Sequence, residues 1–161
     1  MHTVIAFAPS DVAWGARNEL GERRPHWTLA GKPVPYVPFI DDWHPSSEPP
    51  SYRGLYERSR VAAPEAVRFA TIPTERIDKV VLIAGGDDQV WPSEQHALLI
   101  AERRKRHGLD TVLVTDDHAG HRAILPGEAA MTGGLRMVRG GSPDADRRLG
   151  EAAWIHISQI I

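Results

Sequence analysis

Apolar residues along the chain fall into short, continuous, widely spaced runs, and their order predicts an α/β fold. Thr3 to Ser10, "TVIAFAPS", is a β-branched apolar run closed by a proline. Its apolar residues stand side by side rather than alternating, the pattern of a strand buried on both faces. Val80 to Gly86, "VVLIAGG", repeats the pattern and ends on two glycines. Thr111 to Thr115, "TVLVT", predicts a third strand. A helix is predicted between the second and third, with Pro92 at its first position and Gly108 after its last turn. Ala97, Leu98 and Ala101 form its inward stripe. An earlier helical pattern covers Leu55 to Phe69, interrupted near Pro64. The last helix runs from Ser142 to Ile161. Ser142 is its N-cap, Asp144 suits its first turn, and Leu149, Ala153, Ile157 and Ile160 share one face. Apolar strands separated by helices pair in parallel through right-handed crossovers. The expected architecture is therefore about three parallel strands flanked by helices, within one domain of 161 residues.

Residues 11–56 break this rhythm. Prolines at 25, 33, 35, 38, 45, 49 and 50 exclude a regular helix or a central strand. The interleaved aromatics Trp14, Trp27, Tyr36, Phe39 and Trp43 argue against disorder and for a packed excursion. Long ordered loops of that kind serve as lids or binding walls.

Composition narrows the function classes. The formal net charge is -2, with 25% charged residues, so there is no basic field to attract nucleic acid. The one basic run, Arg103 to Arg106, falls at the end of a predicted helix, where cations suit the dipole better than they mark a phosphate site. The chain has no cysteine, which excludes disulfides, thiolate metal sites and a cysteine nucleophile. Met1 to Pro9 is apolar but short and lacks a basic flank, unlike a secretory signal. No stretch approaches the ~20 apolar residues of a membrane span, and a cytoplasmic location is expected. Nothing implies a cofactor.

Function in open parallel sheets gathers at the carboxyl ends of the strands. Asp87 and Asp88 follow the second strand in "GGDDQVWPS", and His118 and His121 follow the third in "DDHAGHRAILP". A carboxylate after one strand and a histidine after the next is the arrangement a catalytic triad needs. The histidine takes a proton from a nucleophile, while the carboxylate fixes its tautomer and stabilises the imidazolium. Asp88 lies three residues after Gly85 and four before Pro92, like the G-x-x-D-x-x-x-P acid turn of α/β-hydrolases. His121 follows Ala119-Gly120, as in the A-G-H loops of that superfamily. Either residue alone is an ordinary turn residue; the ordered pair carries the reading. Asp87 and His118 are then bystanders. A competing use is a metal site of His118, His121, Asp116 and Asp117, a weak signal from two loop histidines. His96 and His107 are expected to be structural or solvated.

Longer stretches are more specific. "VIAFAPSDVAWG", "WTLAGKPVPYVPF", "IPTERIDKVVLIAGGDDQVWPSEQHA", "RRKRHG" and "AGHRAILP" together resemble the C-terminal region of the acyl-CoA thioester hydrolase and bile acid-CoA:amino acid N-acyltransferase family. That resemblance implies an α/β-hydrolase fold and a triad of nucleophile, Asp and His, with the Asp on Asp88 and the His on His121. It implies acyl-CoA or another thioester or ester as substrate, and it makes Trp14, Trp27, Tyr36 and Trp43 a candidate wall for the acyl chain. The family's nucleophile sits on a G-x-[S/C]-x-G turn one strand before "TVIAFAPS". Ser10, Ser93 and Ser142 lack glycines at both flanking positions, so none supplies that turn. The expectation is the C-terminal half of a hydrolase, lacking its nucleophile and needing a complementary N-terminal half. Alternatives are a non-catalytic remnant or binding module of the same fold, and half of a dienelactone hydrolase-like esterase or serine peptidase.

Overall fold

Three parallel strands carry the architecture, in the order β1-β6-β7. The computed structural model describes residues 2–17, 21–130, 134 and 136–161. Along the chain lie β1 (Thr3–Phe7), β2 (Gly15–Arg17), β3 (Arg23–Pro25), β4 (Thr28–Leu29), β5 (Lys32–Pro33), α1 (Arg53–Ala62) and α2 (Pro64–Ala70). A 3-10 turn (Thr74–Arg76), β6 (Lys79–Gly85), α3 (Ser93–Arg106), β7 (Val112–Asp116) and α4 (Pro143–Ile157) follow. β6 is central, pairing Thr3 to Phe7 with Lys79 to Ile83 on one side and Val112 to Asp116 with Val81 to Gly85 on the other. Every β6 residue after Lys79 is buried, which is why its sequence is continuously apolar. Successive side chains face opposite ways. Val81 and Ile83 therefore join Val114, Leu149, Ala153 and Ile157 beneath α4. Val80, Leu82 and Ala84 join Ala97 and Ile100 beneath α3.

The first strand departs from its expected burial. Among the described residues β1 has one hydrogen-bonded neighbour, β6, and Val4 and Phe7 remain 39% and 45% exposed. The inward stripe of α3 also differs. His96, Ala97, Ile100 and Arg104 are buried while Leu98 is 52% exposed, because the covered face follows the 96–100–104 row. Pro92 is the N-cap of α3 rather than its first helical residue. The predicted 55–69 helix is two helices. Pro64 has no N–H to continue α1, and the residue before it, Ala63, takes a non-helical φ of -132°. In α4 the Ser142 hydroxyl accepts from the Ala145 N–H as an N-cap. Ile160 lies beyond that helix and is partly exposed.

The excursion packs on its own small core. Val12, Trp14, Val37 and Ala70 are buried together, with Phe39, Tyr56 and Val67 against them. Trp14 stacks on Phe39 at 5.7 Å and meets Tyr56 edge-on at 4.9 Å. The ribbons β2–β3 and β4–β5 end at Pro25 and Pro33, as residues without an N–H to donate require.

A buried charged cluster and a buried cation fasten the layers. Asp11 accepts both terminal nitrogens of Arg60 at 2.9 Å and pairs with Nδ1 of the buried His96. The basic run divides: Arg103 pairs with Glu75, Arg104 is fully buried, and Lys105 and Arg106 are exposed. No described helix is long and apolar enough to cross a membrane.

Candidate active site

The carboxyl ends of β6 and β7 meet because glycine leaves room for them. A Cβ on Gly85 would strike the carbonyls of Ala119 and Gly120, and one on Gly86 would sit 2.8 Å from Asp117 Cα. That proximity lets Gly86 N–H donate to Asp116 O at 3.0 Å and Asp87 N–H to Ala119 O at 3.0 Å. The two loops form one hydrogen-bonded unit.

Asp88 sits at its centre, with no exposed surface. Its Oδ1 accepts the backbone N–H groups of Val90 at 2.8 Å and Trp91 at 3.2 Å. Its Oδ2 lies 2.9 Å from Nδ1 of His121. An ionised carboxylate only accepts, so Nδ1 is the donor in this pairing, and in the neutral ring Nε2 keeps its lone pair. The acid turn is held from outside: Arg53 donates to Gly86 O at 2.9 Å and Asp88 O at 3.1 Å, and Gln89 O accepts from Tyr52 N and Arg53 N. Tyr56, packed on Trp91, has its phenol pushed up to about 12 by burial and by the negative charge of Asp88.

His121 is positioned just as closely. Its backbone N–H donates to Arg139 O at 2.9 Å, and the preceding Gly120 N–H donates to Asp146 Oδ1 at 2.8 Å. Gly140 and Gly141 bring that strand of loop alongside with φ of 72° and 69°, a conformation that favours glycine. A Cβ on Gly140 would strike Asp87 O. Burial, then the charges of Asp116 and Asp87, raise the carboxyl of Asp146 above its ordinary range. The imidazole of His121 meets the Trp91 indole nearly perpendicularly, with centroids 4.7 Å apart. No described residue bonds Nε2, and His121 lines an open groove of about 930 Å³ with Phe7, Ile124, Leu125 and Met137.

The other residues singled out from sequence lie elsewhere. Asp87 fastens the loop, accepting from Gly141 N and Gln89 Nε2. His118 is exposed, its backbone N–H bound to Asp116, and Asp116 also pairs with Arg148. Among the described residues no group of three or more His, Asp or Glu is placed to hold a metal. Ser10 donates to Val12 O and accepts the Trp14 indole N–H. Ser93 is buried against Gly85 O, and Ser142 caps α4. Trp14 belongs to the small core, Trp43 packs on Tyr52, Tyr36 lies against Gly15, and Trp27 is exposed. None of these four lines the groove beside His121.

The model of the family described as BAAT / acyl-CoA thioester hydrolase C terminal matches residues 55–159. The chain belongs to that family. No match was found among curated proteins. The family region contains β6, α3, β7 and α4, and with them Asp88 and His121. β1 and most of the excursion lie before it, including the stretches "VIAFAPSDVAWG" and "WTLAGKPVPYVPF". Sequence reasoning passed over Trp91 and Arg53, which both bond the acid turn, Trp91 also touching the His121 ring. Trp91 left a signal, standing three residues after Asp88 in the same turn; Arg53 showed only an i,i+4 pairing with Glu57, since its bonds to the acid turn go to backbone carbonyls more than thirty residues away.

Proposed function

We propose that Asp88 and His121 are the acid and base of a triad acting on acyl-CoA thioesters. In this reading the nucleophile arrives on a strand–turn–helix segment outside the described strands, paired along the edge of β1 that no described strand occupies. The observation that carries it is the 2.9 Å contact between His121 Nδ1 and the fully buried carboxylate of Asp88. A buried carboxylate with two backbone donors and one imidazole is built to hold a tautomer and to balance an imidazolium. His121 Nε2 accepts the proton of the incoming hydroxyl or thiol as it attacks the thioester carbonyl. Coenzyme A departs as a thiolate that takes the proton from the His121 imidazolium, which frees Nε2 again; its low basicity asks little of that general acid. Water, or an amine in a transferase, then attacks the acyl-enzyme while His121 removes its proton and passes it to the departing oxygen or sulfur of the nucleophile, releasing the acid or amide. The oxyanion donors accompany the nucleophile, beginning with the amide that follows it. In this reading residues 11–56 act as a lid-like excursion on the hydrolase domain.

The test is thiol release from a medium-chain acyl-CoA. It compares the chain alone with the chain extended at its N-terminus by a family strand, G-x-S-x-G turn and helix. Release is expected only from the extended chain, and His121→Ala abolishes it. Release from the chain alone that His121→Ala removes would reveal a nucleophile among its own residues. A folded extended chain with no His121-dependent release would remove the assignment of the pair.

A further inference from the structure

Trp91 touches every part of the Asp88–His121 arrangement. Its backbone N–H donates to Asp88 Oδ1 at 3.2 Å, and its indole stands perpendicular to the His121 imidazole at 4.7 Å. Its indole N–H donates to Ala8 O at 3.1 Å, across 83 residues of sequence. The ring also packs on Tyr56, with centroids 5.6 Å apart.

Ala8 is the unusual end of this chain of contacts. It follows β1 directly and has φ of 42°, the left-handed region that a residue with a Cβ adopts only at a cost. Two hydrogen bonds hold it there. Its N–H donates to Ile83 O at 2.8 Å in the central strand, and its carbonyl accepts the Trp91 indole. Strained backbone of this kind persists where its surroundings over-determine it. Here the left-handed residue just beyond the edge strand turns its carbonyl toward Trp91.

We propose that Trp91 is a positioning residue: it ties the orientation of the His121 imidazole to the carboxyl end of β1. The bond to Asp88 alone fixes one ring nitrogen and leaves the ring free to swing about it. The perpendicular indole closes that freedom, and the indole is itself anchored at Ala8 O. A shift of the β1 edge therefore moves the wall against which His121 rests. This rests on the proposed role of the Asp88–His121 pair and adds that β1, where the nucleophile segment would dock, is mechanically connected to the base.

Nuclear magnetic resonance of the chain itself tests this through the ring nitrogens and the Nδ1 proton of His121. Trp91→Leu keeps an apolar side chain but removes both the aromatic edge and the N–H to Ala8; Trp91→Phe keeps an aromatic edge and removes only the N–H. Ala8→Gly relieves the strain and keeps the carbonyl. With the fold checked by circular dichroism, Trp91→Leu is expected to speed exchange of the Nδ1 proton with solvent by roughly two- to tenfold, the worth of one aromatic pair. Trp91→Phe is expected to fall between, and Ala8→Gly to leave His121 unchanged. An unchanged Nδ1 exchange rate in folded Trp91→Leu overturns the proposal. If Trp91→Leu does not fold, wild-type exchange in Trp91→Phe overturns it instead. Absence of a protected Nδ1 proton in the unsubstituted chain would remove the pair itself. A wild-type signal indifferent to Trp91 removes only this inference.

Discussion

Replacing Arg104 by methionine separates what holds the sheet from what holds the site. Arg104 is fully buried near the C-terminal end of α3, and its five hydrogen bonds all go to neutral oxygens. They reach Thr74 O and Ile77 O at 2.6 Å, Thr111 Oγ1 at 2.8 Å, Asp110 O at 3.0 Å and Asp78 O at 3.2 Å. These groups precede β6 and β7, so the guanidinium clamps the amino ends of the two strands whose carboxyl ends carry Asp88 and His121. In the methionine variant Thr74 O keeps a second donor, Ile77 N–H. Asp78 and Asp110 are exposed residues, so their carbonyls lie nearest to a replacement partner in water. Ile77 O and Thr111 Oγ1 are left short, at about 1–3 kcal/mol each. Releasing a buried cation from its desolvation offsets part of this. The expected net loss is about 3 kcal/mol, against a typical total of about 5–15 kcal/mol. In urea, with a slope of about 2 kcal/mol per molar, the midpoint falls by about 1.5 M at unchanged slope. Arg104→Lys, with three donors instead of five, should lose less. The His121 Nδ1 signal should persist in both below the transition, because the site lies at the other end of the strands. A loss under about 1 kcal/mol in Arg104→Met would refute this, showing that the desolvation of the guanidinium cancels its bonds.

Gly150→Ala should destabilise α4 despite the better helix propensity of alanine, because its Cβ would strike Ile124 O. A gain of about 1 kcal/mol from propensity is set against a backbone clash, so a raised melting temperature would contradict the packing. Asp88→Asn should keep the turn, since its Oδ1 still accepts from Val90 and Trp91, but its amide would face Nδ1 and force the proton to Nε2. Imidazole nitrogen shifts report that switch directly, and activity in an extended, nucleophile-bearing chain should fall by about 10⁴. Acid stability has a definite sign at Glu75, which the Arg103 hydrogen bonds lower from 4.5 to about 2. Its folded value lies below its unfolded one, so its contribution is present above pH 4.5 and is lost as pH falls toward 2. Glu75→Gln should flatten the decline of the unfolding free energy across that window, and an unaltered slope would count against the pair.

Local signals explain which parts of the molecule were legible in advance. Pro64 divides α1 from α2, Ser142 caps α4, and the glycines after β6 open its loop, because each acts through bonds and contacts within a few residues. β6 was legible for the same reason: a strand buried on both faces tolerates no polar residue at any step. The order of Asp88 and His121 after successive strands followed from parallel topology, which sets both at one edge of the sheet. Their 2.9 Å contact did not follow from order. It needed the glycines at 85, 86, 140 and 141 to let three loops touch.

The rest depended on partners distant in sequence. Arg103 to Arg106 looks like one basic run, yet it contains an ion pair, a buried clamp and two solvated cations. Only the position of the 3-10 turn before β6 and of the loop before β7 decides which is which. His96 reads as an ordinary helical histidine, and its burial against Asp11 joins residues 85 apart. β1 has the composition of a strand covered on both faces, but side-chain character states what a strand can bury, not how many neighbours it has. Trp91 shows the same division. Its place in the acid turn was written in the sequence, whereas its contacts with His121 and Ala8 exist only because tertiary packing brings two strand ends and a strained alanine to one indole ring.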